Sequence, residues 1–325
     1  VPVKLIDRFN GRKSHRNLQL LMFLLINAAG SCAQARYEGY LDAYLNVGYG
    51  SGQLDWNIAD TDGSPDVLSE LVYNIDDVVI LELGGRLFVE SGPLDQAFGE
   101  MRGWVGLIED GTSEDRDWNS DNRTDLYSFS RAELYGHNLK KFSLAVGYRF
   151  SVTEWMTLSP MLGYTYSSQS MRVRNGVQII SEAPSTVAPG SFSGLDSAYD
   201  ASWSGGWLGG EVVFNFAEHH ELVVRLEYHE ADYEAEANWN LRSDLAHPVS
   251  FRHNIEDQKG YLAGVNYRYP LYKQFSIIVA VEYEKFKGKD GIDTIFGSDG
   301  STSATRLNEV NWELTRFSVG ANYRF

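Results

Sequence analysis

Asp115 and Asp117 stand at spacing i, i+2 in the segment IEDGTSEDRDWNSD, Ile108 to Asp121, which packs six carboxylates into 14 residues. On extended backbone, residues two apart point to the same side, so both carboxyl groups would face one space. Two close carboxylates can share a proton and hold a water between themselves and a third group. That arrangement is suited to acid–base work on a bound water. The same composition also suits a solvated acidic loop or a weak divalent-cation site, and the residues alone leave these readings open. Phosphate-loop, dinucleotide, zinc and iron–sulfur patterns are absent, so no metal or cofactor is expected.

The elements that must carry these residues read as strands. The chain ends in FSVGANYRF, Phe317 to Phe325, and the same alternation recurs in FSIIVAVEY, Phe275 to Tyr283, and MTLSPMLGYTY, Met156 to Tyr166. One side of each ribbon is apolar with Tyr at an end; the other is small, polar or charged. A soluble sandwich alternates too, because one face of each sheet meets water. Two features favour lipid instead. The ribbons reach roughly 20 residues, against about 5–6 in ordinary domains. Short and long connections also alternate, as turns and outer loops do in outer-membrane barrels.

Ten ribbons are expected: 36–56, 68–89, 95–111, 126–151, 156–176, 196–216, 221–242, 248–270, 274–291 and 305–325. Short turns fall at ESGPL, VTEW, AEHH and PLYK, with longer polar stretches between them. The expected fold is all-β: a ten-stranded antiparallel transmembrane β-barrel with long extracellular loops, placed in the cell outer membrane. Surplus strand length should stand above the membrane as a walled cup. Charges opposite the apolar faces, namely Glu82, Arg86, Arg225, Glu227, Glu282 and Arg316, should pair inside, because an unpaired buried charge is costly. In the last ribbon Trp312 and Leu314 have the opposite parity from Phe317, which predicts a bulge between them.

Composition sets the remaining bounds. No apolar run reaches 18 residues, so no membrane helix is indicated. The formal net charge of −16 argues against nonspecific nucleic-acid binding and suits a basic ligand. Residues 1–35 read as a signal peptide: five Lys/Arg, the apolar run LQLLMFLLI, then Ala33-Gln34-Ala35. Cys32, the single cysteine, falls within it. Residues 36–325 form the expected barrel, and the expected partners are outer-membrane lipids around a monomer.

The chain resembles the omptin family of outer-membrane proteases over nearly the whole of residues 36–325. The resemblance rests on the ten-ribbon plan, GYGSG (Gly48 to Gly52), DRDW (Asp115 to Trp118), IEDQKGY (Ile255 to Tyr261) after Arg252 and His253, and the terminal Tyr323-Arg324-Phe325. It implies a groove at the extracellular rim that cuts peptides beside basic residues, and an association with lipopolysaccharide. It also implies an Asp pair on one wall, an Asp–His pair on the other, and an activated water between them. Asp115 and Asp117 match the first pair. At the second, EAEANWN places Asn238 at the Asp position and Asn240 at the His position. Asn does not titrate near neutrality and cannot serve as the base. Glu236 falls where the family has an acidic residue that favours basic substrates, and Asp55 is the nearest acidic candidate on the first ribbon.

Three functions follow as expectations. The first is an omptin-like barrel that has lost catalysis and binds basic peptides, proteins or surface glycolipid at its rim. The second is an aspartate- and water-dependent endopeptidase whose base is displaced to His247 or His253, or replaced by Glu234 or Glu236. The third is a small solute channel.

Overall fold

The computed structural model describes residues 38–183, 185, 187–216 and 220–325. The expected signal segment 1–35, with Cys32, lies outside the described residues, as do residues 217–219 of the AEHH turn. Among the described residues thirteen strands form one antiparallel sheet: β1 (Gly39–Ile58), β2 (Ser69–Val89), β3 (Ala97–Ser120), β4 (Thr124–Leu134), β5 (Asn138–Tyr148), β6 (Phe150–Thr153), β7 (Met156–Ser181), β8 (Gly190–Ser191), β9 (Ser197–Phe216), β10 (His220–Asn238), β11 (Phe251–Tyr272), β12 (Phe275–Phe296) and β13 (Thr302–Arg324). Their order is β2-β1-β13-β12-β11-β10-β9-β7-β4-β3-β5, with further pairings β2–β3 and β5–β7, and with β6 and β8 on β7.

The expected ten-stranded closed barrel is therefore corrected to a thirteen-stranded antiparallel sheet. The expected ribbon 126–151 is three strands. Its first break falls at Tyr135–His137, where Gly136 takes φ +53°, a left-handed conformation that strands do not use. The next break is at Arg149, after which β6 pairs with β7 alone. β3 runs nine residues beyond the expected Gly111 end, pairing with β5 over Ala97–Leu107 and with β4 over Thr112–Ser120. The acidic segment therefore belongs to a strand rather than a loop.

Each long strand changes character along its length. In the lower part apolar side chains point outward: Leu41, Leu45 and Val47 on β1, Leu81, Leu83 and Leu87 on β2, Val281 on β12, and Phe317 and Val319 on β13 are all exposed. Exposed Tyr49, Tyr166, Tyr228, Tyr261 and Tyr283 edge this band above, and Tyr148, Phe150, Trp155, Tyr272 and Phe325 edge it below. An outward apolar belt between aromatic girdles is the surface that hydrocarbon solvates. Behind it the buried face is ionic. Arg86 bonds Glu211 at 2.6 Å and Glu100 at 2.6 Å; Arg102 bonds Glu227 at 2.6 Å and Glu282 at 3.0 Å. Arg225 reaches Glu100 at 2.9 Å, Arg316 bonds Glu282, and Lys141 pairs with Glu284. The anticipated network thus forms, with Glu100, Arg102, Lys141, Glu211 and Glu284 added.

Above the girdle the arrangement inverts. Leu54, Trp56, Tyr73, Ile75, Trp203, Tyr233, Phe286, Trp312 and Leu314 point inward as one apolar cluster, while on β10 Asp232, Glu234 and Glu236 are exposed. The predicted bulge between Trp312 and Phe317 is absent, because the β1–β13 register runs unbroken from Asp42↔Arg324 to Asn57↔Glu309. Trp312 and Leu314 face the interior apolar layer, whereas Phe317 faces lipid. The parity change records a change of solvent, not a change of register.

Candidate active site

A register shift sets the acid pair's direction. Below it, Phe98, Glu100, Arg102, Trp104 and Ile108 of β3 are buried at even positions. Against β2 the pairing slips between Ile75 and Val78, and the buried positions of β3 become odd. Gly111 sits at this crossing. A Cβ there would lie 2.5 Å from the Asn74 carbonyl oxygen, so the close approach requires glycine. The slip turns Asp115 and Asp117 toward the inner face, on the layer above Tyr73.

Neighbouring strands supply hydroxyls at the matching positions. Asp117 lies opposite Ser69 on β2 and Ser128 on β4. Ser69 hydrogen-bonds both carboxylates and Ser128 bonds Asp117. Burial pushes the Asp115 carboxyl well above the usual carboxylate range, and the neighbouring Asp117 charge adds to this. Burial also raises Asp117. Two desolvated carboxylates that feel each other's charge can share a proton. Tyr127 of β4 faces the same space. Burial, then the Asp117 and Asp115 charges, push its phenol up to about 12, so it stays a neutral donor.

The cation whose charge most favours ionisation of the pair is Arg242, from the loop between β10 and β11, with Arg116 acting on Asp115 after it. The charge of Arg242 acts on Asp115, Asp117 and Tyr127. Its guanidinium fork is bonded to Asp244, at 2.8 Å from Nε and 2.7 Å from Nη2.

The opposite strand offers the pair no proton acceptor. Along β10, Ala231, Tyr233, Ala235 and Ala237 are buried, while Asp232, Glu234 and Glu236 are exposed. Asn238 continues the exposed parity. Trp239 packs edge-on against Phe251 at 4.8 Å. Asn240 is occupied by backbone: its Oδ1 accepts from the Asp196 N–H at 2.9 Å and the Ser197 hydroxyl at 3.1 Å, and its Nδ2 donates to the Gly194 carbonyl at 2.7 Å. It holds the segment before β9 against the β10–β11 loop.

The two candidate histidines have different surroundings. His253 is fully buried. Its Nδ1 meets the Tyr199 hydroxyl at 2.8 Å, Tyr199 meets Tyr233 at 2.6 Å, and Nε2 lies 3.4 Å from Asp293. Trp56 and Phe251 pack on its ring at 4.7 and 5.1 Å. His247 is exposed, and its Nδ1 donates to Asn238 Oδ1 at 2.7 Å. Glu236 lies on the outer face, in a fork with Arg252. Asp55 also faces outward, accepting from Asn311 at 2.8 Å and Gln53 at 3.0 Å, and burial pushes its carboxyl up. Among the described residues no cluster of three or more His, Cys, Asp or Glu is arranged for a metal ion.

The Protochlamydia outer membrane protein family matches residues 44–325, nearly the whole described chain. The chain belongs to that family. Its place is the outer membrane. No curated protein matches it. Among solved structures it is similar to the outer membrane protease OmpT from Escherichia coli, at 17% identity and TM-score 0.75, covering 90% of this chain and 99% of that one. That likeness makes the fold of this family member omptin-like. Weaker likenesses are to the translocator domain of the autotransporter NalP from Neisseria meningitidis, at 13% identity, 96% coverage of each chain and TM-score 0.37. The transport unit of the autotransporter AIDA-I from Escherichia coli gives 10% identity, 96% and 99% coverage and TM-score 0.37.

Ser69, Ser128, Tyr127, Arg242 and Asp244 were not singled out from the sequence. The serines become visible only through cross-strand register. Arg242 stands two residues beyond Asn240, and a search for an acid and a histidine in that stretch passes over it.

Proposed function

We propose that this family member is a catalytically degenerate omptin-fold protein whose rim cleft binds basic side chains of peptides or proteins. The observation that carries this reading is the asymmetry of the cleft. Asp115 and Asp117 feel the charge of Arg242 and lie over a strand layer that is apolar, and among the described residues no imidazole acts on either carboxyl. Hydrolysis needs a base within about 2.6–3.2 Å of the water it deprotonates. Asn238 and Asn240 cannot serve, and His253 is enclosed by aromatic rings. What the pair retains is negative charge flanked by hydroxyls, which recognises an ammonium or guanidinium group. Equilibrium binding of a fluorescent Lys/Arg peptide to the refolded protein, with and without lipopolysaccharide, tests the reading. We expect saturable binding that weakens at least about tenfold in Asp115→Asn; equal binding by that variant would reject the cleft as the site.

A second reading is favoured by the Asn238–His247 hydrogen bond. An imidazole whose Nδ1 is tied to an amide oxygen presents Nε2 as a proton acceptor, the orientation a general base needs. In an endopeptidase of this kind His247→Gln would abolish cleavage of a basic peptide while Asn240→Ala would not.

A further inference from the structure

Resting on the binding reading above, we infer that the acid pair exchanges a proton for its cation: without ligand the proton sits on Asp115, and a bound ammonium or guanidinium group displaces it to solvent. The direction of the hydrogen bonds around the pair places the proton. Gln178 of β7 is buried, and its Nε2 donates to the Ile180 carbonyl at 2.6 Å. A carbonyl oxygen only accepts, so this bond fixes which end of the amide is nitrogen. The same Nε2 donates its second hydrogen to Ser128 Oγ at 3.1 Å. Ser128 therefore keeps its own proton to give, and it gives it to Asp117, which it faces across the β3–β4 pairing.

Ser69 lies opposite Asp117 on the β2 side and is bonded to both carboxyls. A hydroxyl has one proton to donate, and an ionised carboxylate only accepts. Ser69 can serve both carboxyls at once only when one of them is protonated and donates to Ser69 Oγ. Asp117 already receives the Ser128 proton and is the ionised member; Asp115, which burial raises further, carries the proton. The bonds thus run from Gln178 to Ser128 to Asp117, and from Asp115 to Ser69 to Asp117. The other charged or titratable groups acting here are Arg116 of β3, Arg242 of the β10–β11 loop, Tyr73 of β2 and Tyr127 of β4. Both tyrosines stay neutral, because burial and the acid charges raise their phenols. An ammonium group has three N–H donors and no acceptor. At the pair it donates to both carboxylates and to the Ser69 lone pair that the Asp115 O–H had used. A cation there favours the ionised carboxyl, so Asp115 releases its proton to solvent and keeps the bonding electrons. A singly charged pair and a cation become a doubly charged pair, the same cation and one free proton. Proton and ligand compete, so affinity falls as pH falls below the Asp115 titration.

The test uses the refolded protein in detergent micelles and, as probe, an end-blocked peptide with a single lysine. Calorimetry in two buffers of unlike ionisation enthalpy counts the protons released, and carbon NMR of the two carboxyls orders their titration. Wild type should release about one proton per bound peptide near pH 6, with Kd weakening by up to about tenfold for each further pH unit down. Asp117 should ionise before Asp115 as pH rises. Asp115→Asn should bind about tenfold more weakly and release no proton. Ser128→Ala should move Asp117 ionisation to higher pH, and Ser128→Thr, which keeps the hydroxyl, should bring it back. Asp115-dependent binding without proton release overturns the exchange and leaves the binding reading standing. Ionisation of Asp115 before Asp117, or an unchanged Asp117 titration in Ser128→Ala, overturns the placement of the proton. Absence of binding to wild type removes the binding reading, and the exchange with it.

Discussion

Asp115 shows how one residue ties stability to the cleft's charge. Its carboxyl is raised in the folded protein by burial and by Asp117. A carboxyl raised on folding favours the folded state while it is protonated, and that advantage is lost as pH climbs from the ordinary value of about 3.9 through the raised one. Asp115→Asn should therefore stabilise the protein at pH 7, on the order of 1 kcal/mol after allowance for partial exposure, and have little effect near pH 3. Urea unfolding in lipid vesicles at both pH values measures this. The opposite sign would mean that Arg242 and Ser69 outweigh desolvation at the pair. Tyr199 gives a second prediction. Tyr199→Phe leaves the His253 Nδ1 and the Tyr233 hydroxyl without their shared partner in a sealed layer, and should cost about 1–3 kcal/mol in the same assay.

At the scale of the elements, alternation was legible where one side of a strand meets lipid. The faces of β2 and β10 and their inward charges were readable because apolar and ionic residues occupy opposite parities there. Alternation misled where the strand leaves the membrane, because the apolar side then becomes the inner one. Trp312 and Leu314 implied a bulge for that reason. The split of 126–151 was illegible because Tyr135–His137 differs from a strand only in the φ of Gly136. Asp115 and Asp117 were readable as a pair by spacing, but their direction depends on the slip at Ile75–Val78, which cross-strand pairing alone reveals. Asn240 carries the prediction at this scale. Asn240→Ala removes three hydrogen bonds that tie residues 194–197 to the β10–β11 loop. Hydrogen exchange should quicken over 190–198 and leave β13 unchanged; uniform protection would mean that the strand pairing alone orders the segment.

Over the whole molecule, the buried face has two layers. An ionic layer lies level with the lipid band, around a cavity of about 100 Å³ lined by Arg86, Glu100, Arg102, Glu211, Arg225 and Arg316 among others. An apolar layer rich in Trp and Tyr lies above it. Ions would have to cross both the charged layer and the apolar one. The account predicts silent single-channel records in planar bilayers, and steady ohmic conductance would restore the channel reading. In the proposed reading the omptin-like fold presents the acid pair at its rim, and the central claim concerns what the pair does there. The most direct test is to incubate the refolded protein with a mixed peptide library, with and without lipopolysaccharide, beside Asp115→Ala, and to read the products by mass spectrometry. The account predicts retention of basic peptides that depends on Asp115, with every peptide recovered intact. Asp115-dependent cleavage beside Lys or Arg would contradict it and identify a working protease with its base outside the expected positions.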